Sequence, residues 1–205
     1  MNAFEAMARR ISANKFDPST SLSEDDIREL VGHATTAPSA FNIQHWRFVA
    51  ITKKEDKERL KAVAYGQQKI ADAAVTFIVL GDLRGAEKLP EILAHSVASG
   101  VIDQAAADAW VKMTSGTTPE AAHDEALRSA SLASMSLMIA AEAKGLASCP
   151  MIGFDGAAVK KEFGISDRYA IAMLIAVGNA AQGNSPKKYR LPVDEVLAFD
   201  RARDF

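Results

Sequence analysis

The 205-residue chain is 48% hydrophobic and 24% charged, an ordinary globular composition that excludes a disordered polymer and suffices for one substantial core. A net charge of −2 gives no overall basic surface, so neither nucleic acid nor anionic lipid is an expected partner. One cysteine, Cys149, excludes an internal disulfide, and the apolar stretch 169–178 is too short to span a bilayer, so no membrane association is expected.

Residues 2–11 predict a short helix and lack the apolar run of a signal peptide, which makes a reducing cytoplasm the expected setting. Ser23 with Asp26 forms a capping box, with Asp in the Glu/Gln role, at the start of a helix carrying Ile27, Leu30, Val31 and Ala34 on one face. Pro38 ends that helical pattern. The connection TTAPSAFNIQHWRFVAI, from Thr35 to Ile51, then supplies Ser39, Asn42 and Gln44 beside Pro38 and Trp46. A plain turn needs fewer donors and acceptors, so a binding loop is expected here.

WRFVAI at 46–51 predicts a strand, and 53–73 a helix broken near Gly66. VTFIVLG at 75–81 is a continuous apolar, β-branched run and predicts a strand buried on both faces. Residues 86–118 predict a helical excursion over the core, with Gly100 and Gly116 interrupting it. Pro119 opens the longest helix, about 119–144, whose second half is small or apolar around its circumference. Such a helix is buried on all sides, either in a dimer interface or at the centre of a monomeric core. Gly145 is a C-cap; a helix near 156–163, a strand at 169–178 and a polar tail complete the chain. Alternating helices with few strands, lacking a strict βαβ cadence, predict one domain over 1–205: a layered sandwich with a mixed sheet.

Two basic clusters lie near the ends: Arg9, Arg10, Ser12, Asn14 and Lys15, and then Lys187, Lys188 and Arg190 after GNSP. Guanidinium and ammonium groups beside a hydroxyl suit phosphate, and they would do so together if folding joined them. Histidines 33, 45, 95 and 123 show no metal-binding spacing, so no metal site is expected. There is no GxSxG elbow to make Ser39 a nucleophile and no GxGxxG dinucleotide turn. By local spacing alone His45 is a loop histidine bonded nearby, Lys69 pairs with Asp72, and Cys149 is a small packing residue.

RRISANKFD, APSAFNIQHW, GLASCPMIGFD and KKYRLP occur in the order found in the FMN-dependent nitroreductase family, and the likeness spans nearly the whole chain. The chain resembles that family, which implies an α+β sandwich with a mixed central sheet flanked by helices. It also implies an intertwined homodimer with one FMN per subunit at the interface. On this resemblance Arg10, Ser12 and Asn14 line the FMN phosphate and ribityl chain, with Lys188 and Arg190 on the phosphate from the other side. Pro38, Ser39 and Asn42 approach the isoalloxazine from the partner subunit, and Gln44 stays near the ribityl side. Lys69 takes the catalytic electrostatic role at the N1–C2=O edge; Pro150, Met151, Ile152 and Gly153 line the ring's face.

Three positions depart from the family pattern: His45 stands where Pro is common, Gly66 where some members have Asn, and Ile152 where one branch has Glu. Asn14 also stands where a basic residue is frequent. The implied activity passes hydride from NAD(P)H through flavin N5 to an electron-poor acceptor such as a nitroaromatic, a quinone or free flavin, by a ping-pong mechanism. Two alternatives remain open on sequence: a flavin-binding storage or sensor protein with little turnover, and an α/β dimer that takes another phosphorylated ligand.

Overall fold

The computed structural model describes residues 1–202, so the end of the predicted domain, 203–205, lies outside the described residues. Helices α1 (Ala3–Arg9) and α2 (Glu24–Ala34) both open on capping boxes, Asn2 with Glu5 and Ser23 with Asp26. In each, the cap side chain and the third helical residue satisfy one another's free backbone N–H. A 3₁₀ turn at Ala40–Asn42 leads into β1 (Trp46–Ile51). Helix α3 (Lys54–Val63) stops where Tyr65 and Gly66 take positive φ, and α4 (Gln68–Asp72) restarts the pattern before β2 (Val75–Asp82).

A 3₁₀ turn at Gly85–Lys88 and helices α5 (Leu89–Ala98) and α6 (Gln104–Thr114) build the excursion. Helix α7 (Pro119–Ala143) follows, capped by the Thr118 side chain. Then come β3 (Ala147–Met151), α8 (Gly156–Phe163), β4 (Tyr169–Gly178) and a single turn, α9 (Val193–Val196), in an exposed tail.

The sheet order is β1-β2-β4-β3, and these strands pair antiparallel throughout. The parallel element of the sheet is a lone bridge between Ser12 and Ser148 at the outer side of β3. β3 has no counterpart among the strands predicted from sequence, because Pro150 and small residues mask it. It forms because β4 offers a ladder, and Pro150 is tolerated because β3 lies at the end of the strand order.

β2 is buried along its whole length, and its alternation feeds two cores. Val75, Phe77 and Val79 pack with Leu30, Leu137, Ile175 and Val177 on the face covered by α2 and α7. Ile78 and Leu80 pack with Leu60, Ile70, Val159 and Leu174 beneath α3, α4 and α8. A third, smaller cluster of Ile43, Leu89, Leu93 and Ala107 anchors the excursion to the loop before β1.

Within one chain, helix α7 is buried on one side only, which excludes the centre of a monomeric core as the place where all its faces are covered. Ala126, Ala130, Ala133, Leu137 and Ala141 are buried against the sheet, whereas Leu132 and Met135 are 44% and 42% exposed. One chain has only one sheet face to offer, so the opposite side of the helix stays uncovered. With α1 that side forms an open groove of about 520 Å³ that includes Met7, Met135, Ile139 and Ala143.

The approach of α7 to β2 is set by Gly81. A Cβ there would stand 2.7 Å from the Ala126 carbonyl oxygen, closer than packed atoms come. Gly81→Ala is therefore expected to push helix from sheet and cost about 1–3 kcal/mol, the usual range for overpacking. Urea unfolding measures it; an unchanged midpoint would remove the close approach as a constraint.

Candidate functional site

The two terminal basic clusters come together. Lys187 Nζ donates to the carbonyls of Met7 and Ala8 at 3.1 and 2.8 Å, which ties the tail to the end of α1. Asn184 completes the join: its Oδ1 accepts from the backbone N–H of Asn14 and Lys15, and its Nδ2 donates to the Lys15 and Ala181 carbonyls. Lys69 Nζ donates to Asn14 Oδ1 at 3.0 Å, across 55 positions of sequence. The local partner expected for it, Asp72, is instead engaged by Gln68.

The meeting point is the start of β2 and the end of β4, beside Cys149. Burial pushes the Cys149 thiol up, and the nearby charges of Lys69, Lys188 and Arg10 pull it back only in part. The thiol is held protonated at neutral pH, which makes it a packing group and not a nucleophile. Among the described residues no carboxylate lies within ion-pair distance of Arg10, Lys69, Lys188 or Arg190. Arg10 Nη1 and Ser148 Oγ are buried without a hydrogen-bond partner among those residues. A buried guanidinium nitrogen without an acceptor is costly, and a bound anion would satisfy it.

Ser12 and Asn14 are exposed beside these cations, Pro150 and Met151 end β3 just after Cys149, and Ile152 and Gly153 follow it. Ile152 is 83% exposed, while the Gly153 carbonyl accepts from Gln67 Nε2 at 2.7 Å, which fixes the turn. Gly66 carries φ +71° with open space where a Cβ would stand, so the demand there is conformational: glycine and asparagine both tolerate it. That departure from the family pattern leaves the backbone path intact.

Pro38, Ser39, Asn42 and Gln44 lie elsewhere. Their loop enters β1 at Trp46, which pairs with Gly81 at the far end of β2. Lys69 in α4 and Arg10 after α1 lie toward the start of β2, so about 20 Å of strand, from Val75 to Gly81, separates the two groups within one chain. Phe41, Asn42 and Gln44 take φ of 51°, 57° and 57°, a left-handed path in which non-glycine residues are strained. Ser39 Oγ accepts from the Gln44 N–H at 3.0 Å and closes the loop on itself, while Pro38 and Asn42 face solvent.

Asp82, His45 and Arg168 hold that loop, and sequence reading gave no sign of the cluster. The Asp82 carboxylate is buried and accepts from Arg168 Nε and Nη2 at 2.8 and 2.9 Å, from the Arg84 N–H, and from Arg47 at 3.4 Å. Its backbone N–H donates to the His45 carbonyl, and its own carbonyl accepts from His45 Nδ1, both at 2.8 Å. Burial alone would raise the carboxyl; the Arg168 and Arg84 hydrogen bonds and the Arg168 and Arg47 charges outweigh it and hold it below its ordinary value. His45 is thus bonded across 37 positions and not within its loop. No group of His, Cys, Asp or Glu suited to a metal occurs among the described residues, and none of their helices is long and apolar enough to cross a membrane.

Comparison with known proteins matches residues 7–179 to the nitroreductase family. YodC of Bacillus subtilis, provisionally named an NAD(P)H nitroreductase, is 36% identical over 200 residues, covering 97% of this chain and 98% of its own. A solved Bacillus subtilis structure provisionally named as the nitroreductase ydfN superposes with TM-score 0.90 at 32% identity, covering 96% of this chain and 97% of its own. Another, from Exiguobacterium sibiricum 255-15 and provisionally named a nitroreductase in complex with FMN, gives TM-score 0.91 at 28% identity and 98% coverage of both chains.

Asp82→Ala is expected to cost about 2–3 kcal/mol, below the full penalty for breaking a buried pair because Arg47 and Arg168 keep partial contact with solvent. The folded-state carboxyl is depressed, so its contribution is complete above the unfolded value of about 4 and is lost as pH falls through the folded value. Urea unfolding of wild type and Asp82→Asn should therefore differ most near neutral pH and converge in acid. A constant difference across pH would remove the linkage.

Proposed function

The chain belongs to the nitroreductase family, and from that membership we propose an FMN-dependent oxidoreductase that carries electrons from NAD(P)H to an electron-poor small molecule. Nitroaromatics, quinones and free flavin are the acceptor classes in view. The observation that carries this reading is the convergence of Arg10, Lys69 and Lys188 around Cys149, with no carboxylate within ion-pair distance of them among the described residues. A flavin phosphate supplies the missing anion, and the unpartnered Arg10 Nη1 and the exposed Ser12 hydroxyl suit it as donors.

Bound there, FMN supplies the two-electron redox chemistry that side chains lack. Lys188 and Arg190 would hold the phosphate opposite Arg10, and Asn14 would keep Lys69 turned into the groove. The Lys69 ammonium would then supply a fixed positive charge for the negative charge that reduction adds, with no reorganisation needed during the reaction. The Pro150–Gly153 segment, braced by Gln67, would form the wall against the ring. The protonated Cys149 takes no part as a nucleophile. Use of one face in turn by donor and acceptor would give ping-pong kinetics.

The same reading makes the protein a homodimer. Two observations support it: the uncovered face of α7 with Leu132 and Met135, and the apolar tail residues Tyr189, Leu191, Val193 and Phe199, which one chain leaves exposed. The separation of the Pro38–Gln44 loop from Lys69 gives a third reason. A second copy would bring Pro38, Ser39 and Asn42 of its own loop to a groove that one chain builds only in part.

The test is the visible spectrum of protein saturated with FMN, desalted, and mixed anaerobically with NADH or NADPH. Retained flavin that bleaches within seconds is the expected result; flavin that stays oxidised would favour a storage or sensing role. Lys188→Ala combined with Arg190→Ala should weaken FMN binding at least roughly tenfold, the loss of one charge-assisted contact, with an unchanged sedimentation coefficient. Lys69→Met should keep the flavin and slow its reduction roughly tenfold to a hundredfold. An unchanged reduction rate would take Lys69 out of the electrostatic role.

A further inference from the structure

A cavity of about 280 Å³ lies between the strained loop before β1, the end of α6 and the first turns of α7. Within one chain it lies at the opposite end of β2 from the basic residues, and in the proposed dimer its Phe41 wall belongs to the loop that would reach the partner's flavin. Phe41, Ile43 and Leu83 give it apolar walls. His45 also lines it, and His45 is only 3% exposed. The Nδ1 edge of that ring is turned to the Asp82 carbonyl, and it lies so near Gly85 that a Cβ there would come within 2.6 Å. A carbonyl only accepts, so Nδ1 carries the hydrogen. Nε2 is left buried with no hydrogen-bond partner among the described residues. With the ring's hydrogen on Nδ1, Nε2 presents a bare lone pair and acts as an acceptor.

The remaining polar groups of the cavity have the same polarity. Thr114 Oγ1 spends its hydrogen on the Trp110 or Val111 carbonyl, and Thr117 Oγ1 spends its own on the Thr114 carbonyl. Glu125 accepts from Ser129 Oγ at 3.0 Å and pairs with Arg128. Each polar side chain lining the space therefore presents an acceptor, and an occupant must bring the hydrogen. Because Arg128 already neutralises Glu125, the cavity has no surplus negative charge for a cation. The geometry points to a binding site for a small neutral phenol, whose ring would fill the apolar part and whose O–H would donate to His45 Nε2.

This site goes beyond the flavin reading and does not rest on it. Its occupant would touch Phe41, which sits in the left-handed backbone at φ 51°, so binding would also bear on the conformation of the loop.

The test is a titration of full-length protein carrying [15N]histidine with 4-ethylphenol, with its methyl ether 4-ethylanisole, and with 4-methylbenzylammonium. Expected are a saturable shift of the His45 Nε2 resonance by the phenol and binding roughly tenfold tighter than the ether, the worth of one hydrogen bond. Ala122→Leu, which fills the cavity from α7, should abolish that shift. If that variant fails to fold, Ala86→Leu narrows the same space from the other wall. Equal affinity for phenol and ether, tighter binding of the ammonium, or no saturation, as with water alone in the cavity, would each overturn the proposal. So would full affinity in the filled variant, which would place the phenol elsewhere.

Discussion

The carboxylate of Asp82 is the constraint on which the loop end of the molecule depends. It sits at the last position of β2, with no access to solvent, and must find its hydrogen bonds inside the protein. Arg168 delivers two from just before β4, Arg47 reaches in from β1, and the Arg84 amide arrives from the entry to the excursion. His45 closes both backbone groups of the same residue. Three strand ends and two connections are thus joined at one charge. A loop with three residues at positive φ needs such an anchor, because its own geometry costs free energy that packing elsewhere must offset.

The opposite end of β2 has the reverse electrostatics. There the cations gather, and no carboxylate answers them among the described residues. Like charges brought together without partners raise the free energy of the fold unless something bound offsets it. Asn184 and Lys187 are the fixtures that impose this: they spend their polar groups on the backbone of the first fifteen residues and so hold Lys188 near Arg10. The protein thus has one end where charge is internally satisfied, and one where cations stand without carboxylate partners among the described residues.

The uncovered side of α7 belongs to the same picture. Ala126 beneath Gly81 lets the helix lie close on the sheet, and the small residues that permit this continue around to the far side. A helix of such composition gains little from solvent on that side. In the proposed dimer, a second copy would cover the exposed Leu132 and Met135, the groove beside α1 and the apolar tail.

The sequence by itself determined the elements whose signals are local. Ser23 with Asp26, Pro119 and the run 75–81 act over a few residues, through caps, a fixed φ and side-chain alternation, and the strands at 46–51 and 169–178 and the helix at 156–163 stand where the pattern put them. The order of four motifs also made the family legible. Only the tertiary structure decided the rest. β3 exists because β4 pairs with it, against the propensity of Pro150. Lys69 turns to Asn14, not to Asp72, and Asp82 meets Arg168 across 86 positions. Each of these is a choice of partner made after the chain has closed on itself. Local propensity has no means of registering it, because the competing partners differ in burial and direction, and those exist only in the folded state.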